Sequence, residues 1–93
     1  MNYTVSWLPN AEAQLAAVWL ASPDRNSVSR ASHEIDDFLA ATPGLVGVVV
    51  FDTVYELTHH PLGVEYEVND ADRAVSVLAV WDSNLGRSNP TGN

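Results

Sequence analysis

His59 and His60 stand side by side before Pro61, with Arg73 and Arg87 further along the chain. Histidine takes up and releases protons near neutral pH. An arginine beside it can stabilise negative charge that develops at a reacting phosphoryl group. These four residues are the candidate catalytic set. Each also has a plainer explanation. A His-His pair before proline suits a solvated corner, Arg73 can pair with Asp70 or Asp72 of its own turn, and Arg87 lies in a polar tail. His59 and His60 with Glu56 or His33 could also supply nitrogen and oxygen ligands to a metal ion. No motif fixes their spacing, so neither a metal nor another cofactor is expected. No glycine-rich loop follows a strand to cradle phosphates, and Ser, His and Asp fall in no nucleophile motif. The sequence has no cysteine, which excludes disulfides, thiolate metal sites and cysteine nucleophiles.

Charge narrows the function further. Twelve Asp and Glu stand against four Arg and no Lys, for a formal net charge of −8. Affinity for nucleic acid rests on Lys and Arg neutralising phosphates, so direct nucleic-acid binding is not expected. The acidity serves solubility, or it faces a basic protein partner. Trp7, Trp19 and Trp81 fall at apolar positions of three separate elements and read as core or as lids over it. Stacking on bases would need basic neighbours that the sequence does not supply.

The elements that must position these residues follow from periodicity. Tyr3, Val5 and Trp7 alternate with Thr4 and Ser6, the pattern of a half-buried strand over 3–8 that Pro9 ends. Asn10 is placed to cap a helix over 11–21, whose stripe is Ala11, Leu15, Val18 and Trp19. Ser22-Pro23-Asp24 breaks the helix, with Ser22 as N-cap and Pro23 at the first helical position of the next. Val28, Ala31, Ile35, Phe38 and Leu39 then repeat at helical spacing over 24–41, and Thr42-Pro43-Gly44 closes this helix. Residues 45–51 are an apolar run, either a buried strand or an edge segment awaiting a partner. Strands follow over 54–58, 62–69 and 73–81. In the last, Val75, Val77, Ala79 and Trp81 are expected on one face and Leu78 and Val80 on the other. The fold class is α+β in the order β-α-α-β-β-β, a helical hairpin on one face of a mostly antiparallel sheet of about four strands. The expected organisation is one domain over 1–82 and a flexible tail over 83–93.

Five stretches resemble the RelE/ParE superfamily of toxins. The opening Tyr3-Thr-Val-Ser-Trp7-Leu-Pro9-Asn-Ala-Glu12-Ala-Gln-Leu15 is similar to the start of those proteins. Trp19-Leu-Ala-Ser-Pro-Asp24-Arg25 and His33-Glu-Ile-Asp36-Asp37-Phe-Leu39 fit their helical hairpin. His60-Pro61-Leu62-Gly63-Val64-Glu65-Tyr66-Glu67-Val68, followed by Asp72-Arg73-Ala-Val75-Ser-Val77-Leu78-Ala-Val80-Trp81, is similar to their closing strands, particularly in members labelled plasmid-stabilisation proteins. The resemblance covers about residues 3–82. It implies a toxin of a type II toxin–antitoxin pair. RelE-like members cut messenger RNA on the ribosome, ParE-like members inhibit DNA gyrase, and both are held inactive by a cognate antitoxin.

This sequence departs from the RelE-like ribonucleases where they carry Arg and Lys on the open sheet face. Here the segment before the second meander strand reads Val48-Val-Val-Phe-Asp-Thr53, and the open-face positions read Glu56, Glu65, Glu67, Ser76 and Leu78. The expected function is therefore protein contact: antitoxin binding and inhibition of a protein target such as gyrase. The alternatives are a divergent ribosome-dependent messenger-RNA interferase and a non-toxic acidic decoy. The candidate partner-binding residues are Val48, Val49, Val50, Phe51, Glu56, Glu65 and Glu67. Residues 45–51 can pair within the monomer or across a homodimer. No stretch reads as a secretory signal or a membrane span, and cysteine-free composition fits a reducing cytoplasm.

Overall fold

The computed structural model describes residues 2–86. Its element order is β1 (Thr4–Trp7), α1 (Pro9–Ala21), α2 (Arg25–Ala41), α3 (Pro43–Val46), β2 (Val48–Phe51), β3 (Val54–His59), β4 (Leu62–Asn69) and β5 (Ala74–Asp82). Among the described residues, five strands form one sheet in the order β1-β5-β4-β3-β2. β1 runs parallel to β5, and every other pair is antiparallel. The class is the expected α+β. The strand beyond the expected four is β2, from the apolar run whose pairing the sequence left open, and it pairs with β3 inside the monomer.

The helix boundaries differ from the sequence expectation for local reasons. α1 begins at Pro9 rather than after Asn10, with Leu8 at the N-cap. Proline has a fixed φ and no N–H, which suits the first helical position. Asn10 instead donates from Nδ2 to the Leu78 carbonyl at 3.5 Å. The N-cap of α2 is Asp24, not Ser22. The Asp24 carboxylate accepts from the Ser27 N–H at 3.2 Å and from the Ser27 hydroxyl at 2.6 Å. These bonds, the hydroxyl's first, hold its carboxyl below the usual range. The Ser22 hydroxyl accepts from the Asp24 N–H at 3.0 Å and so shapes the turn between the helices. Thr42-Pro43-Gly44 closes α2 as expected, with Thr42 at its C-cap, and Pro43–Val46 then adds a further short turn of helix.

The core lies between α2 and the inner strands. Val28, Ala31, Ile35 and Leu39 of α2 meet Leu62, Val64, Tyr66 and Val68 of β4 and Val75, Val77 and Val80 of β5, all buried. Each fully buried aliphatic side chain contributes roughly 1.5–3 kcal/mol. Phe38 sits at the boundary rather than in this core, 37% exposed.

A bulge sets the faces of β5. Tyr66 pairs with Val77, but Glu65 pairs with Ala79, which leaves Leu78 without a partner on β4. An extra residue shifts the alternation by one. Val80 therefore joins Val75 and Val77 in the core, opposite Val64, while Trp81 lies opposite Gly63 on the other face. Ala79 and Trp81, expected on the face of Val75 and Val77, lie instead on the open face, and Val80, expected opposite them, lies in the core. α1 satisfies the backbone that the bulge disturbs. The Val80 N–H donates to Gln14 Oε1 at 2.8 Å, so Asn10 and Gln14 continue along β5 the contacts that β1 makes up to Leu8. Gly63 leaves room for the Trp81 ring, since a Cβ there would come within 2.3 Å of the indole nitrogen.

Tyr66 anchors the approach to β2. Its ring stacks on Tyr55 with centroids 5.5 Å apart, and its hydroxyl donates to the Pro43 carbonyl at 2.6 Å. The chain then passes so close to this hydroxyl that a Cβ on Gly47 would stand 2.2 Å from it. Burial, with a smaller contribution from Tyr55, pushes the Tyr66 hydroxyl from 10.0 up to about 12. The folded protein thus keeps a proton that the unfolded chain loses at lower pH. The resulting stability is fully present below pH 10.0 and falls as pH rises towards about 12. Tyr66→Phe is expected to cost about 1–2 kcal/mol in urea unfolding at neutral pH, because the buried Pro43 carbonyl loses its donor. It is also expected to flatten the alkaline loss of stability relative to wild type.

Candidate functional site

The candidate catalytic residues occupy opposite ends of the sheet. His59 ends β3 on the helical side, where its register partner is Leu62. Its Nε2–H donates to Glu34 Oε1 at 2.8 Å, and its ring meets Phe38 edge-on at 5.1 Å. Both contacts are to α2, so His59 ties the β3–β4 corner to the helix. His60 shares a hydrogen bond between Nδ1 and the Ser83 hydroxyl at 2.6 Å, beside a cis peptide bond to Pro61. The Ser83 N–H donates to the Pro61 carbonyl at 2.9 Å, so residues 83–86 form a turn against this corner.

Arg73 lies at the far end of β4, in the turn before β5, with φ at 52°. Its guanidinium sits 5.1 Å from the centroid of the Tyr3 ring, and the Tyr3 hydroxyl donates to Asp70 Oδ1 at 2.5 Å. The bond to Asp70 is the main cause that raises the Tyr3 hydroxyl above its ordinary value. Thus Arg73 stacks over a ring held by Asp70, while its own N–H donates to the Asp70 carbonyl at 3.3 Å. The eight residues of β4 separate it from His60; at roughly 3.3 Å per residue that is about 23 Å. His59, His60 and Arg73 are therefore not brought to one reacting centre. Arg87 lies outside the described residues.

The candidate binding residues do converge. On the open face of the sheet, Glu56 stands directly opposite Glu65, and Val54 opposite Glu67. Val48 pairs with Glu56, so Val48, Glu56, Glu65 and Ala79 form one row across four strands. Phe51, Val54, Glu67 and Ser76 form the next. Thr53 donates from its hydroxyl to Glu67 Oε2 at 3.2 Å. Of the five expected open-face positions, Glu56, Glu65, Glu67 and Ser76 lie in these rows, and Leu78 is the bulged residue.

β2 borders this face as an edge strand, and all four of its side chains are exposed. Val48 is 73% exposed and Phe51 76%, with Val49 and Val50 above half. Leu45 on α3 extends the patch. Edge strands are usually shielded by charge, proline or a covering element. Here a bulge between Val49 and Phe51 bends the strand, and Asp52 closes it in a left-handed turn conformation. The strand itself is wholly apolar. The geometry offers an added strand main-chain groups along β2, apolar contacts on both sides of it, and carboxylates one strand further in.

The sequence reading missed the cleft between α1 and α2. It encloses about 470 Å³ and is lined by Trp7, Leu15, Trp19 and Val28, with Glu12 and Asp36 among its polar residues. Trp19, expected as core or as a lid over it, lines this cleft and is 36% exposed. A pairing of Trp7 with Asp36 across twenty-nine positions leaves no local signal in sequence. Among the described residues, no group of three or more His, Asp or Glu is arranged to hold a metal ion. No helix among them is long and apolar enough to cross a membrane.

Comparison with solved structures places this fold among toxin structures of the RelE/ParE type. A chain of the RelBE2 toxin–antitoxin complex from Mycobacterium tuberculosis aligns with a TM-score of 0.74 at 16% identity, covering 88% of this chain and 92% of that one. A chain of the archaeal RelE–RelB complex from Pyrococcus horikoshii aligns at 0.68 and 19% identity, over 95% and 100%. One from the chromosomal ParDE system of P. aeruginosa aligns at 0.64 and 14%, over 86% and 95%. No protein-family model and no curated protein sequence matches the chain. The shared fold bears out the fold that the strand and hairpin motifs implied.

The contacts of His59 and His60 predict different consequences of their loss. His59→Ala is expected to lower stability by about 1 kcal/mol, through the Phe38 edge contact and the Glu34 pair. His60→Ala is expected to change it by less than about 0.5 kcal/mol. Denaturant titration of the two variants checks this.

Proposed function

We propose that this chain is a toxin-family protein of a type II toxin–antitoxin pair, and that it acts by protein contact. The observation that carries this reading is the exposed apolar edge strand β2 beside an open face rowed with Glu56, Glu65 and Glu67. The toxin–antitoxin complexes with the same fold support an antitoxin partner. An extended antitoxin segment would add to the sheet along β2, taking main-chain bonds from the edge and covering Val48, Val49, Val50 and Phe51. A segment of this kind would carry basic residues towards the carboxylate rows. The cellular target in this reading is a protein such as DNA gyrase.

Ribosome-dependent RNA cleavage is the second reading, favoured by the RelE structures among those of like fold. It needs cationic groups near the scissile phosphate to stabilise a phosphorane. The carboxylates of the open face would repel that phosphate, and the dispersed His59, His60 and Arg73 do not replace the missing groups.

Co-expression with the neighbouring open reading frame tests the proposal. The product of that frame is expected to co-purify with the wild-type chain. Val48→Lys with Phe51→Lys is expected to abolish co-purification while shifting stability by no more than about 0.5 kcal/mol per site, since both side chains are exposed. Retention of the partner by a folded double variant would rule out β2 as its docking edge. A purified-gyrase supercoiling assay then addresses the target, with inhibition expected.

A further inference from the structure

The cleft between α1 and α2 combines three features. Its walls are apolar, from Trp7, Leu15, Trp19 and Val28, and Glu12 and Asp36 add carboxylates. Both of its indole N–H groups are already used. Trp7 Nε1–H donates to Asp36 Oδ1 at 2.9 Å, and Trp19 Nε1–H donates to the Ser29 hydroxyl at 3.2 Å. The rings therefore have π surface rather than donors left to offer, and π surface beside carboxylate attracts a cation with an apolar stem. His33 also lines the cleft, as the one side chain there able to carry positive charge.

The chain already shows this chemistry just outside the cleft. The Arg25 guanidinium lies 4.6 Å from the centroid of Trp19, while Nε and Nη2 donate to the Trp19 and Leu20 carbonyls at 3.2 and 3.1 Å. Arg25 itself does not line the cleft. The net charge of −8 would also draw a cationic partner towards the protein.

We infer that the α1–α2 cleft is a receptor for an arginine side chain of a basic partner protein, its stem against Leu15 and Val28 and its guanidinium between the indole faces and the carboxylates of Glu12 and Asp36. The cleft lies on the helical layer beside β1, whereas β2 is the opposite edge of the sheet. Its occupancy is thus independent of an added strand on β2.

Nitrogen-15 labelling of the full chain gives one indole N–H signal for each of Trp7, Trp19 and Trp81. L-Argininamide is titrated at constant ionic strength, with L-citrullinamide as the neutral isostere. Saturable shifts of the Trp7 and Trp19 signals are expected with argininamide, with the Trp81 signal on the other sheet face unmoved. Citrullinamide is expected to shift none of them. Glu12→Gln with Asp36→Asn should lose the response yet keep the Trp7 bond, because an amide oxygen still accepts. Equal shifts with citrullinamide, no shift with argininamide, or an undiminished response in the double variant would each overturn the inference. The citrullinamide comparison uses the wild-type chain, so it decides the matter even if the double variant folds poorly.

Discussion

The helical layer is centred away from one edge of the sheet. α1 lies on β5 and α2 against β1 and β4, so the buried residues come chiefly from α2, β4 and β5. β2 lies beyond that cover, with every side chain exposed. An apolar strand left at an edge is a standing template for another chain. Its placement follows from the local architecture. Tyr66 holds Pro43, Gly47 lets the chain pass the Tyr66 hydroxyl, and β2 is delivered to β3 in register.

The open face completes the argument from electrostatics. Glu56 and Glu65 face each other across β3 and β4, and Glu67 lies in the next row. On the reading proposed above, the apolar edge invites a protein strand and the acidic rows beside it suit a basic partner segment. The arrangement also explains why the fold alone does not assign the chemistry, since activity resides in the groups a face presents and not in the scaffold.

Much of this was legible in the residues. The alternation in Tyr3, Val5 and Trp7, the helical repeat of Val28, Ala31, Ile35 and Leu39, and the strands around His60-Pro61 gave the fold class and the element order apart from α3 and the pairing of β2. What escaped had no local signal. The Leu78 bulge is fixed by β4 pairing and by Gln14 reaching Val80 from α1, so strict alternation put Ala79, Val80 and Trp81 on the wrong faces. Asp24 replaced Ser22 as cap because its two bonds to Ser27 outcompete one hydroxyl. The neighbours His59 and His60 suggested a joint role, yet one meets Glu34 on α2 and the other Ser83 after β5. Periodicity also could not show that α1 and α2 part to leave a cleft between Trp7 and Trp19.

The central claim is that this chain acts by protein contact and not by cutting RNA. Mapping of messenger-RNA 5′ ends in cells arrested by induced expression tests it most directly. The account predicts growth arrest with transcripts intact, relieved by co-expression of the neighbouring gene. Discrete cleavage within translated reading frames, absent from uninduced cells, would contradict it and return the chain to the ribonucleases.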